Sequence, residues 1–295
     1  MPRVHANGIE IEYDTFGEPQ DRPLILIMGL SSQLVDWPES FCEKLAAKGH
    51  FVIRFDNRDV GLSSKLDDLG VPNIFEILAA AQQGRAIESP YALSEMAADT
   101  IGLMDALNLE RAYVCGLSMG GMIAQMMAIE YPRRLISLIS MQSSTGDPEL
   151  PGAEPPAMEA MVAPPPIERD AYIQHMVDVY RAFAGGSDNY DEGLQKEISA
   201  LSYDRSFYLM GFTRQLAAIL ACGSRKDALA AIEVPTLVIH GSHDALLPLV
   251  HGKDTAESIP GAKLVIIQGL GHGMAYPVLW DEIIETLVAH TAGAI

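Results

Sequence analysis

The sequence predicts an α/β protein whose mostly parallel sheet is covered by helices on both faces and interrupted by an all-helical insertion. Three observations carry this. Short apolar runs at Leu24 to Met28, Phe51 to Phe55, Ala112 to Cys115 and Leu135 to Met141 lack the apolar–polar alternation of a half-exposed strand, as strands buried on both faces do. Helix-like segments at Ser40 to Lys48, Ser94 to Leu107 and Met119 to Glu130 separate these runs, and alternating strands and helices make a parallel sheet. The alternation stops at residues 147 to 166, which hold seven of the chain's 18 prolines, and only helical patterning follows from Arg169 to Asp227.

Taken in order, the first run ends in Gly29, the residue that starts its turn. The second leads into a charged stretch, Asp56 to Ser63, read as a turn after a strand. The third runs into Gly116-Leu117-Ser118-Met119-Gly120. The fourth is followed by the proline cluster, read as a linker or boundary. Beyond it, Tyr172, Met176, Val179, Tyr180 and Phe183 share one helical face, and Phe207, Met210, Phe212, Leu216 and Ile219 another. The sheet resumes with Pro235 to His240 and Ala262 to Ile267, and Pro277 to Ala289 closes the chain as a helix. The expected division is a core of residues 1–146 and 228–295 with a helical cap at 147–227.

A chain of 295 residues suits one large domain with an insertion. With 48% hydrophobic and 20% charged residues it can bury a sizeable core. Twenty basic against 39 acidic side chains give a net charge of −19, a field that repels phosphates and anionic lipids, so neither nucleic acid nor a membrane surface is an expected partner. The first residues lack the apolar centre of a signal peptide, which predicts a soluble, cytoplasmic protein. Cys42, Cys115 and Cys222 are odd in number and contain no Cys-x-x-Cys pair, suggesting neither disulfides nor a thiolate metal site. No cofactor or metal is called for, and the oligomeric state leaves no mark on the sequence.

Gly-x-Ser-x-Gly is a weak motif alone. At Gly116 to Gly120 it follows a predicted strand and opens a predicted helix, the setting in which a tight turn pushes the serine out above the sheet edge. A glycine-rich turn whose serine only caps the helix would share the pattern. A serine hydroxyl needs a base to take its proton and a third group to orient that base. Ligands of a parallel sheet meet the carboxyl ends of its strands, and of eight histidines His272 stands just beyond such a strand, between Gly271 and Gly273. Asp244 follows the other late strand, although a turn aspartate bonded to its own backbone would look alike. Ser118, Asp244 and His272 then stand in the order nucleophile, acid, base, and the long gap between the first two holds the insertion. Oxyanion donors are expected from the backbone N–H groups of Met119 and of Leu30, in the loop after the first buried strand. Leu34, Trp37, Met176, Phe207, Met210 and Met274 are candidates for an apolar substrate pocket; apolar residues at helical spacing also simply pack a cap onto a core.

Several segments together resemble the α/β-hydrolase fold with a helical cap inserted after the sixth strand. These are Met28-Gly29-Leu30 with Asp36-Trp37-Pro38, Ile53 to Ser63, Gly116 to Gly121, Val234 to Ile239 and Gly269 to His272. The Arg-Asp-x-Gly-x-Ser stretch, Arg58 to Ser63, is similar to the aclacinomycin methylesterase-like branch. Gly-Leu-Ser-Met-Gly-Gly is also similar to 3-oxoadipate enol-lactonases and cofactor-free haloperoxidases. Haloalkane dehalogenases and related epoxide hydrolases have aspartate where this chain has Ser118. The resemblance implies a serine carboxylesterase acting on small to medium hydrophobic esters. An enol-lactonase, a haloperoxidase or perhydrolase, or a non-catalytic ligand sensor of the same architecture are the alternatives.

Overall fold

The computed structural model describes residues 1–293. An eight-stranded sheet runs through the molecule in the order β1-β2-β4-β3-β5-β6-β7-β8, with β1 Arg3–Ala6, β2 Ile9–Phe16, β3 Arg22–Ile27, β4 His50–Phe55, β5 Ala112–Leu117, β6 Leu135–Met141, β7 Thr236–Gly241 and β8 Lys263–Ile267. β1 and β2 form an antiparallel edge on β4, and every other pairing is parallel. The parallel strands therefore end at one common edge, the place where an open α/β sheet receives its ligands.

Helices α1 Glu39–Ala46, α2 Ile74–Gln82, α3 Leu93–Ala106, α4 Met119–Glu130, α10 Val250–Ser258 and α11 Trp280–Gly293 connect or follow the strands. Two apolar cores form, one on each face. On one, Ile25, Ile27, Ile53 and Val114 meet Met96, Ile101, Ile123 and Met127; on the other, Leu24, Leu26, Tyr113 and Ile139 meet Phe41, Trp280, Ile283 and Leu287. β3, β4 and β5 thus send alternate residues to opposite faces, and their apolar runs are broken only by Arg54 in β4.

Between β6 and β7 lie α5 Pro155–Val162, α6 Arg169–Phe183, α7 Glu192–Arg205, α8 Met210–Cys222 and the short α9 Lys226–Leu229. The proline cluster is not all linker. Pro155 and Pro156 open α5, because proline lacks only an N–H that a helix leaves unbonded in its first turn and its fixed φ suits the start.

The stretch Asp56–Ser63, read as a charged turn, is a turn of a different kind: its charges are buried. Asp56 accepts the N–H groups of Leu34 (2.8 Å) and Leu62 (2.7 Å) and pairs with Arg205 of α7 at 2.7 Å. Arg58 grips Asp99 of α3 at 2.6 and 2.7 Å. Asp59 receives Nε and Nη2 of Arg214 in α8, both at 2.8 Å, with both side chains fully buried. A carboxylate out of water needs such partners. The insertion is consequently pinned to the core by two buried ion pairs.

Candidate active site

The turn after β5 carries Ser118. Its backbone sits at φ 57, ψ −119, a region costly for a residue with a Cβ. Two close approaches enforce it: a Cβ on Gly116 would fall inside the Gly120 carbonyl, and one on Gly120 inside that of Ile27. The Ser118 N–H donates to the Met141 carbonyl at the end of β6 (2.9 Å), and its own carbonyl accepts from Gly121 (2.9 Å), Met122 (3.2 Å) and the Ser143 hydroxyl (2.8 Å). The serine is thereby turned out of the sheet at the N-terminus of α4, whose dipole favours negative charge there.

The loops after β7 and β8 bring Asp244 and His272 together. His272 Nδ1 lies 2.8 Å from Asp244 Oδ2, both groups buried. An ionised carboxylate can only accept, so Nδ1 carries the proton and Nε2 keeps its lone pair. Asp244 Oδ1 accepts the N–H groups of Leu246 (3.1 Å) and Leu247 (2.8 Å), so the turn bonds expected of such an aspartate exist beside the imidazole contact. His240, at the end of β7, donates from Nε2 to the Leu247 carbonyl (2.7 Å) and lies 3.6 Å from Asp244 Oδ2. Burial holds its pKa below the ordinary histidine value against the pull of Asp244, so it braces this turn as a neutral ring.

Leu30 follows β3 on the same edge. Gly29 lies so close to the elbow that a Cβ on it would stand 3.2 Å from the Ser118 Cβ. Asn57 Nδ2 holds the Met28 carbonyl (3.0 Å), and the Ser31 N–H donates to Gln215 Oε1 of α8 (2.7 Å), with Ser31 at φ 60. Gln215 Nε2 in turn donates to the Arg58 carbonyl (2.8 Å). Gln215 belongs to no motif, and Asn57 lies in the Ile53 to Ser63 stretch without anything there to mark its side chain.

With this geometry in place, a family model for the alpha/beta hydrolase fold matches residues 22–276. The chain belongs to the α/β-hydrolase family. It is similar to rhodomycin D methylesterase DauP of Streptomyces sp. (strain C5), 29% identical over 99% of this chain and 98% of that protein. Rhodomycin D methylesterase DnrP of Streptomyces peucetius is 29% identical over 94% of this chain and 93% of its own. Among solved structures, a meta-cleavage product hydrolase from Pseudomonas fluorescens IP01 superposes with a TM-score of 0.76 at 23% identity, covering 100% of this chain and 98% of the other, a likeness of fold.

In this α/β-hydrolase the six pocket candidates do not share one place. Met176 and Phe207 line a small cavity between α6, α7 and the 3-10 turn Leu34–Asp36, together with Tyr172, Tyr203, Ser32 and Asp36. Trp37 and Met274 are packed into the core on one face of the sheet, Trp37 stacked on Phe41 at 5.8 Å. Leu34 is buried with its N–H on Asp56. Met210 opens α8 with 46% of its surface exposed. Trp37 and Met274 thus serve packing rather than a pocket.

Asp36 faces the cavity, where Oδ2 accepts the Gln33 N–H (3.0 Å) and the Ser202 hydroxyl (3.1 Å). Burial, assisted by Asp56 and opposed by these bonds and by Arg205, pushes its pKa up to about 7. Among the described residues no cluster of three His, Cys, Asp or Glu side chains is arranged for a metal ion, and no helix is long and apolar enough to cross a membrane.

Proposed function

We propose that this α/β-hydrolase is a serine carboxylesterase acting on small to medium uncharged or hydrophobic esters. Ser118 Oγ attacks the ester carbonyl carbon while His272 Nε2 takes its proton, and Asp244 keeps the imidazole in the required tautomer and stabilises its cation. The tetrahedral oxyanion is held by the Met119 and Leu30 N–H groups, an interaction worth ~10²–10³ in turnover per donor. Collapse expels the alcohol with the proton from His272. Water, deprotonated by the same nitrogen, then releases the acid and restores Ser118.

The 2.8 Å contact between His272 and Asp244 carries this reading. A loop histidine with only solvent to meet would have no reason to be locked in one tautomer at the edge where Ser118 is strained outward. The methylesterase relatives support ester rather than other acyl chemistry. A fold neighbour that is an enol-lactonase from Burkholderia xenovorans LB400 keeps lactones in the comparison.

The deciding experiment is Ser118→Ala measured on p-nitrophenyl esters of short and medium acyl chains beside a lactone. The wild-type protein is expected to hydrolyse the esters, and the variant to fold normally and lose this turnover by at least ~10³-fold. Full hydrolysis by the variant would remove Ser118 as nucleophile. Turnover of the lactone alone would move the assignment to lactonase, and ligand-induced thermal stabilisation with no turnover would make the protein a sensor.

A further inference from the structure

We infer that Gln142 is a positioning residue for the His272 base, setting the height of its loop relative to the Ser118 elbow; this rests on the esterase reading above. Gln142 immediately follows β6, is fully buried and has φ 47. A left-handed conformation costs a non-glycine residue roughly 1–2 kcal/mol, so the surroundings hold it there for a reason. The reason lies in its side-chain amide. Oε1 accepts the Gly273 N–H at 2.7 Å and Nε2 donates to the Gly271 carbonyl at 3.0 Å. These are the two residues that flank His272.

The backbone on either side of Gln142 completes the connection. Its own N–H donates to the Ile239 carbonyl of β7 (2.8 Å), and the preceding Met141 carbonyl accepts the Ser118 N–H (2.9 Å). One dipeptide therefore holds the nucleophile's turn with its main chain and the base's loop with its side chain. Asp244 fixes the imidazole through Nδ1, and the Phe183 carbonyl accepts the His272 N–H (3.2 Å), but neither holds the two neighbouring residues. The paired bonds of Gln142 to Gly271 and Gly273 supply that hold. Only an amide offers a donor and an acceptor at this reach in every protonation state. A displacement of about 1 Å between base and nucleophile is enough to lower turnover on the order of 10²-fold.

The test uses two near-isosteric variants of the full chain. Gln142→Leu removes both bonds, and is expected to lower kcat for p-nitrophenyl ester hydrolysis by roughly 30–100-fold while KM stays within about twofold, the signature of a misplaced base rather than a damaged pocket. Gln142→Glu keeps the acceptor for Gly273 but can donate to Gly271 only when protonated. It is expected to retain more kcat than Gln142→Leu and to change the pH profile, through its own titration or by raising the pKa of the imidazole. The titratable groups already around that loop are Asp244 and His240 near the ring and the phenols of Tyr180 beside Gly273 and Tyr276 beside Gly271, which burial keeps protonated, so the new carboxyl is the added variable.

Wild-type kcat in folded Gln142→Leu, or a wild-type pH profile in Gln142→Glu, overturns the inference. If the leucine variant does not fold, the profile of the glutamate variant decides alone. Hydrolysis surviving Ser118→Ala strikes the esterase reading instead, whereas loss in Ser118→Ala with full activity in Gln142→Leu strikes only the role of Gln142.

Discussion

Asp36 is a carboxyl whose ionisation the fold resists. Because burial raises its pKa to about 7, the folded state holds a proton between the ordinary carboxylate pKa and 7 that the unfolded chain has released. Stability contributed by the protonated form is therefore present at low pH and lost as pH rises through 7. Asp36→Asn, which keeps an acceptor for Ser202 and Gln33, is expected to gain melting temperature relative to wild type at pH 8 by roughly 5 °C more than at pH 5; an equal difference at both values would mean that Asp36 titrates normally. At this scale sequence is uneven in what it reveals. Ser118, Asp244 and His272, the residues proposed as nucleophile, acid and base, stand out in the sequence because each sits at a motif or just beyond a strand of the expected topology. Gln142, Asn57 and His240 do not, since their importance lies in contacts with residues 131, 29 and 7 positions away in the chain, and no local pattern encodes such partners.

The central strands and several helices follow the hydrophobic pattern: α4 has the boundaries expected and α1 and α3 differ by a residue or two, whereas α11 begins at Trp280 after a 3-10 turn at Pro277–Leu279, and α2 forms where no helix is expected. The β1–β2 hairpin leaves little trace in the sequence because its strands lie at an edge and alternate, Ile9 and Ile11 turning in and Glu10 out, whereas central strands make continuous apolar runs. The loop Asp56–Ser63 was visible as a distinctive string, but its physical role was not: charged residues in a sequence say nothing of burial until their partners are known. Arg214 and Asp59 make that role testable. Arg214→Ala strands a fully buried carboxylate and should lower unfolding free energy by about 3–5 kcal/mol, read from urea denaturation. The double variant Arg214→Met with Asp59→Asn should recover much of that loss; equal instability in the two proteins would show that the charge pair is not the source.

At the scale of the whole molecule, the net charge of −19 surrounds the site with a field opposed to anionic substrates. Raising ionic strength from about 0.01 to 0.15 M, which shortens the screening length from ~30 to ~8 Å, should increase kcat/KM for a dicarboxylate monoester severalfold while leaving a neutral ester within about twofold. Equal responses would mean that the entrance is locally neutral. A different long-range connection is made by the Phe183 residue that ends α6. Its carbonyl accepts N–H groups from both His272 (3.2 Å) and Ala245 (3.3 Å), and its ring meets the imidazole edge-on at 6.0 Å. The last residue of that helix thus ties the loops of Asp244 and His272 to the inserted helices. A graft of the inserted helices that keeps Phe183 must begin after it, or the loops of Asp244 and His272 lose the carbonyl on which both rest.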